Sequence, residues 1–464
     1  MTTQMAWAAG AVLALGGAMG LAQAETTAQI LPQTMDMLSH AISVQTYHGN
    51  GQVPKLAEYF AEKLKAGGFP AADVQVIPVG ETAALIARIH GSGKGKPVVA
   101  TGHMDVVPAN PKDWERDPFK MVEENGYIFG RGVADMKTGT VALVQTFIRL
   151  KKEGYKPKRD LILALSGDEE RGEVSTRELA KLVPNAEFVL IAEGGGGTLD
   201  PTTGKPTLFE VQAAEKTYAD FHITYTSPGG HSSEPNPPQN AIYHLAKAID
   251  RIAAYKFPPM SNEITRASLA ALGQRTPGAI GEAMQAFAKN PDDAQAAAVI
   301  AADPAYVGQI GTTCVATMLT GGHAPNALPQ SASVNVNCRI FPSQTPAQVR
   351  DTLVKVVDDP KAEISAARPP LGPNASPIRK DVMDAVARAV HQRYPKLDVV
   401  PAMASFATDG KIYRAAGIPT YGVAAQFTKP NDTFMHGLNE RLPVSEVAAS
   451  LDYWHTLLKD VGSK

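Results

Sequence analysis

The chain has 464 residues, 44% of them hydrophobic and 19% charged, with a formal net charge of −2. That balance fits an ordinary globular protein and excludes a basic nucleic-acid binder. A single core rarely grows beyond roughly 250 to 300 residues, so two domains are expected.

Residues 1–24 contain an apolar segment from about Met5 to Leu21 and end in Ala22-Gln23-Ala24, the small-x-small pattern of a secretory cleavage site. No Lys or Arg precedes the apolar segment, so the amino terminus is its only positive charge. The segment predicts an exported protein, periplasmic or secreted, whose mature chain starts near residue 25. No later stretch has the ~20 uninterrupted apolar residues needed to span a bilayer.

From residue 29 to 155 helix and strand patterns alternate. Leu56, Phe60 and Leu64 recur at helical spacing before Gly67-Gly68, and 84–89 reads as a strand. The apolar run 97–100 predicts a short buried strand that stops at a turn-prone Thr101-Gly102, just before His103 and Asp105. Side chains at i and i+2 of an extended chain point the same way, so Asp105 can accept the second ring N–H of His103. Asp135 lies in a Gly-rich turn ahead of a helix predicted over 137–152, where Val141, Val144 and Ile148 share a face. Taken alone, Asp135 reads as a helix cap.

Two more apolar runs, 160–165 and 187–192, lead into Asp168-Glu169-Glu170 and into Glu193 followed by four glycines. Open α/β sheets hold their sites at the carboxyl ends of strands, so three such coincidences point to one site.

The pattern changes between 216 and 368. Strands over 217–226, 311–319, 332–340 and 362–367 and helices over 240–254 and 346–357 give the order βαββαβ, a ferredoxin-like unit. An Ala-rich helical insertion, about 260–306, interrupts it. Cys314 and Cys338 are too few for a disulfide scaffold or a thiolate metal site. They fall in two β-like runs and could pair across a hairpin in an oxidising compartment; two buried free thiols are the preferred reading. From 371 onward α/β patterning returns, with 417–422 as a strand. The fold class expected is therefore α/β: a discontinuous catalytic domain with a mixed sheet (25–216 and 369–464) and an inserted ferredoxin-like α+β lid (217–368).

His103, Asp135, Glu170, Glu193 and the distant His436 form a hard-to-borderline donor set without thiolate, suited to two divalent ions of the zinc type bridged by one carboxylate. Two ions ~3.5 to 4 Å apart acidify a shared water and polarise a carbonyl. Adjacent acids in an extended chain diverge, which leaves Glu169 as the general base while Glu170 binds metal. The chemistry expected is amide hydrolysis without a covalent intermediate.

The stretches GHMDVVP, GRGVADMKTG, LSGDEE, AEGG, GGHSS and MHGLNE, in that order and approximate spacing, resemble the di-zinc exopeptidase and aminoacylase family. That family includes glutamate carboxypeptidase, aminoacylase, succinyl-diaminopimelate desuccinylase and carboxypeptidase S. The resemblance implies that His103 and Glu193 bind one ion, Glu170 and His436 the other, and that Asp135 bridges them. It also implies Glu169 as base, Asp105 as partner of His103 and a cis peptide after Asp135. Zinc is the metal implied, with cobalt or manganese as substitutes.

His231 resembles the family histidine that reaches the partner subunit's site and stabilises an oxyanion, so the resemblance implies a homodimer through the lid unless the helical insertion covers that surface. Asn326 and Arg339 resemble residues contacting the substrate's carbonyl and carboxylate; the planar Arg fork suits a carboxylate. The alternative readings are a turn histidine on a hydrophilic loop for His231 and a strand-edge surface residue for Arg339. The segments WERDPF, AEGGGG and HSSEPNPP look closest to the carboxypeptidase S and N-acyl-amino-acid hydrolase branch. Thr217 stands where relatives usually have Gly. The expected substrate is a small peptide or an N-acyl amino acid. A dipeptidase requiring a free amino terminus is the alternative enzyme, and a catalytically silent binding protein on the same fold the alternative outside enzymes.

Overall fold

The computed structural model of the chain describes residues 25–366 and 374–464. The expected leader, 1–24, and the expected boundary at 368/369 lie outside the described residues.

A ten-stranded mixed sheet carries the larger unit. At its centre three parallel strands lie side by side in the order Leu161–Ser166, Val98–His103, Phe188–Ile191. Every residue of all three is buried, as expected of parallel strands covered on both faces. Alternation splits their side chains between two cores. Val98, Ala100 and Leu163 join the layer formed with the helix Thr138–Lys152. Val99, Ile162 and Val189 join Leu179 and Ile412 on the opposite face.

The central strand runs on through Thr101 and Gly102 to His103, where a turn was expected. Gly102 serves packing instead of turning: a Cβ there would stand 2.6 Å from Met136 Cε and 3.1 Å from Thr140 Oγ1. Its absence lets the turn that carries Asp135 lie directly on the strand.

The second unit is a four-stranded antiparallel sheet ordered Thr313–Gly321, Ser331–Ile340, Thr217–Thr226, Glu363–Ala366. In chain order that is 2-3-1-4, the ferredoxin-like arrangement. The helices Ala241–Ala254 and Pro346–Val357 cover one face, with Leu245 and Leu353 packed on Phe221, Val334 and Val336. Each helix starts at a side-chain cap: Asn240 Oδ1 accepts from Ile242 N (3.0 Å), and Thr345 Oγ1 accepts from Gln348 N (3.2 Å).

Cys314 and Cys338 face each other across the first two of these strands and form a disulfide, with Cα atoms 4.1 Å apart. The preference for free thiols is thereby corrected. The register, fixed by a hairpin that burial of alternate side chains pins, is what sets the two sulfurs together.

The insertion folds as three helices, Glu263–Gly273, Ala279–Lys289 and Ala294–Ala301, around Leu269, Met284, Phe287 and Ile300. It docks on the main sheet: Arg275 Nε donates to Thr207 O (3.1 Å) and pairs with Asp398, and Gln309 Nε2 donates to Met403 O (3.2 Å). No described helix is long and apolar enough to cross a membrane.

Candidate metal centre

Parallel pairing brings the site together. His103 pairs level with Ser166, and Thr101 with Ile191. Continuing the second register sets Glu193 beside His103, while Glu169 and Glu170 follow three and four residues after Ser166. The turn holding Asp135 reaches the same edge from the entrance of Thr138–Lys152, through a cis Asp135–Met136 peptide. Glu169 and Glu170 occupy a turn; the expectation that an extended chain makes them diverge is corrected, since the strand ends at Ser166.

Asp135 stands between two imidazoles. Its Oδ1 lies 3.1 Å from His103 Nε2 and its Oδ2 2.9 Å from His436 Nε2. Glu193 Oε2 is 3.9 Å from His103 Nε2, and Glu170 Oε1 is 3.1 Å from His436 Nε2. Donor atoms of His103, Asp135 and Glu170 lie within 4.8 Å of one another. The five residues expected to bind metal are thus gathered in one place, with the two oxygens of Asp135 facing different histidines. Four of them, Asp135, Glu170, Glu193 and His436, line a cavity of about 420 Å³ together with Glu169, Phe406 and Met435, while His103 is buried beside Asp135.

The donor set fits divalent cations. Glu193 Oε2 is buried without a hydrogen-bond partner, an arrangement that burial alone would penalise. Burial pushes the Glu169 carboxyl well above its ordinary range, and the charge of Glu193 pushes it further. Glu193 is raised well above its range, by burial first and then by Asp135. Burial opposes the charged form of Asp135 too, but hydrogen bonds from His103 and His436 outweigh it and hold that carboxyl low. His436 is raised to about 10 by its hydrogen bonds to Asp135 and Glu170. The cluster contains more acid than two imidazoles balance, which is the electrostatic condition a divalent cation relieves.

Asp105 serves the site in two ways, beside His103 as expected and at the turn of the two glutamates. His103 Nδ1 lies 3.0 Å from the Asp105 main-chain oxygen and 3.5 Å from its carboxylate. The carboxylate accepts from Glu169 N (3.1 Å) and Glu170 N (3.0 Å), fixing the turn that presents both acids.

Three further residues hold the site, and sequence reasoning passed over them. Glu440 is fully buried and accepts from Gly132 N, Ala134 N and Asp135 N at 2.8 to 3.0 Å. Arg131 joins it at 2.6 Å and donates to Gly437 O at 3.0 Å. The pair ties the turn of Asp135 to the loop of His436, whose φ of 63° is a strained conformation for a residue with a side chain. Asp409, buried and raised to about 6 by that burial, accepts hydrogen bonds from Ser166 and Thr176. Arg131 and Glu440 sit inside the motif stretches; a charged residue in each glycine-containing turn was the available signal.

His231, Asn326 and Arg339 are absent from the lining of this cavity. His231 and Asn326 are exposed neighbours on the lid, where Ser232 N donates to Asn326 O at 3.1 Å. His231 Nδ1 lies 2.6 Å from Ser233 Oγ, leaving Nε2 available. Arg339 projects from the lid sheet with its guanidinium 4.7 Å from the Tyr218 ring centroid.

A family model described as peptidase family M20/M25/M40 matches residues 99–460. Among similar sequences, the mouse (Mus musculus) N-fatty-acyl-amino acid synthase/hydrolase PM20D1 is 27% identical over 88% of this chain and 84% of its own length. A probable succinyl-diaminopimelate desuccinylase of Staphylococcus aureus is 28% identical over 61% of this chain and 64% of its own. Among solved structures, an M20 family metallo-carboxypeptidase of Sulfolobus solfataricus superposes with a TM-score of 0.70 at 19% identity, covering 93% of this chain and 99% of that one.

Proposed function

Because the chain belongs to peptidase family M20/M25/M40, a family of metallohydrolases that cleave amide bonds, we propose that it releases an amino acid with a free carboxylate from peptides or N-acyl amino acids, using two divalent ions. One observation carries the reading: Asp135 presents Oδ1 to His103 and Oδ2 to His436, with Glu193 and Glu170 flanking the two sides. His103 and Glu193 would hold one ion, His436 and Glu170 the other, with Asp135 between. When bound, such ions make water acidic near neutral pH and polarise an amide carbonyl. The preferred ion is zinc, by the borderline softness of the donors.

Glu169 takes the proton of the attacking water and returns it to the nitrogen that leaves. Its amide, held by Asp105, keeps the carboxyl aimed into the cavity. Arg339 and Asn326 read the free carboxylate and the carbonyl, and His231 stabilises the developing oxyanion from the partner subunit of a homodimer. An exposed apolar strip, Val315, Met318 and Leu319 on the edge strand of the lid, supports that dimer. The Cys314–Cys338 disulfide supports export to an oxidising compartment.

The test is hydrolysis of N-acyl amino acids and blocked dipeptides by metal-loaded protein, each with a free and an amidated carboxyl end. Cleavage restricted to the free carboxylates is expected, with activity lost on chelation and restored by zinc, cobalt or manganese. Cleavage of unblocked dipeptides alone would replace this reading with a dipeptidase.

A further inference from the structure

A second cavity, of about 280 Å³, adjoins the metal cavity, and the two share Gly195 and Phe406 in their walls. Its floor is the strand Pro206–Glu215, from which Glu210 and Gln212, two residues apart and so on one face, both line the space. Its far wall is the helical insertion, through Leu269 and Leu272. The insertion has a structural consequence as well: its docking on Val399–Ala404 encloses this space.

Gln212 is 1% exposed, and neither Nε2 nor Oε1 has a hydrogen-bond partner. A buried primary amide with both ends unpaired is costly unless something supplies an acceptor and a donor together. Its position is built in: a Cβ on Gly194, the residue after Glu193, would fall 1.8 Å from Gln212 Oε1. An extended peptide residue points its own N–H and C=O to the same side, which is the complement of that amide. A plain hydrocarbon chain offers neither group.

We propose that this cavity is a substrate subsite that takes an extended peptide residue on the acyl side of the scissile bond. Gln212 Nε2–H donates to the C=O of that residue and Gln212 Oε1 accepts its N–H. The inference rests on the hydrolase reading above. There the free-carboxylate side is assigned to Asn326 and Arg339, which line neither cavity, so the acyl side is the one directed here. The apolar walls from Leu269, Leu272 and Met403 exclude water from the two hydrogen bonds, and Phe406 separates the bond to be cleaved from the residue that is read.

The experiment compares two substrates on the metal-loaded enzyme: N-acetyl-glycyl-alanyl-leucine, and 4-oxopentanoyl-alanyl-leucine, in which a methylene stands for the glycyl N–H. The kcat/KM ratio of the pair is expected to favour the first on the order of tenfold, since the second leaves Oε1 unpaired. In Gln212→Leu the ratio should fall to about one. Leu272→Trp, which fills the cavity from the insertion side and leaves the sheet intact, should also abolish the preference. A wild-type ratio near one, or a preference untouched by both variants, would overturn the subsite while leaving the hydrolase standing. Inertness of a metal-loaded protein toward both substrates and toward N-acetyl-leucine would overturn the hydrolase reading, and the subsite with it.

Discussion

Glu169 and Glu170 are neighbours in one turn, and their environments divide their tasks. Glu170 meets His436 at 3.1 Å, whereas Glu169 has no such partner and is raised by burial and by the charge of Glu193. A carboxylate held near the site without an imidazole beside it is free to exchange a proton. Replacing Glu169 by Gln keeps its size and its amide contact with Asp105, so both metals should remain bound while kcat drops ~10² to 10⁴-fold. Metal analysis and steady-state kinetics on the same preparation check this; substantial turnover with metals retained would remove Glu169 from the mechanism. The candidate ligands that the structure gathers were legible because each acid or His follows a buried strand or sits in a distinctive turn. The role of the Asp105 carboxylate was not, because its partners are main-chain amides 64 and 65 residues away, and main-chain groups carry no sequence signal.

The strand Thr217–Thr226 and its neighbours show what elements contribute. Lys216, at the junction of the two sheets, is fully buried and donates to Gly311 O (2.7 Å) and Thr313 Oγ1 (3.2 Å). Burial, aided by the charge of Arg339, lowers its ammonium from 10.5 to about 7. A lowered lysine releases its proton in the native state at a pH where the unfolded chain still holds one. Between pH 7 and about 10 the unfolded state therefore binds more protons, and stability rises with pH, at most ~1.4 kcal/mol per unit from this group. Below pH 7 both states are protonated and the term is constant. Urea unfolding from pH 7 to 9.5 should show the wild type gaining on Lys216→Met by roughly 1 kcal/mol per unit. A flat difference would mean that Lys216 stays charged. The lid strands and helices themselves were readable, since strand alternation and helical spacing announce them; the pairing of Cys314 with Cys338 needed the register.

At the scale of the molecule, the lid and its insertion face different ways. The insertion is anchored on Val399–Ala404 of the main sheet, and the lid's edge strand keeps Met318 and Leu319 about two-thirds exposed, at 68% and 66%. A second copy pairing there would bury them, as the proposed dimer in which His231 serves its partner's site requires. Charging that edge, with Met318→Glu and Leu319→Glu together, should convert a dimer to a monomer in sedimentation and lower activity. His231→Ala should lower kcat ~10² to 10³-fold. Mixing it with Glu169→Gln should recover activity at about a quarter of the sites if subunits exchange freely, each mixed dimer having one complete site. Absence of any recovery after exchange would place His231 in its own subunit's chemistry.

The sequence by itself determined the strand and helix order, the α/β sheet with an inserted ferredoxin-like unit, and the seven residues gathered at the sheet edge. These depend on local periodicity and on side chains whose chemistry has few other uses at such spacing. Only the tertiary structure decided the disulfide, the Arg131–Glu440 tie between the turns of Asp135 and His436, and the cavity that Gln212 shares with the insertion. Each of those is a contact between segments far apart in the chain, fixed by strand register and by where a helix packs, and neither is written in any one stretch of residues.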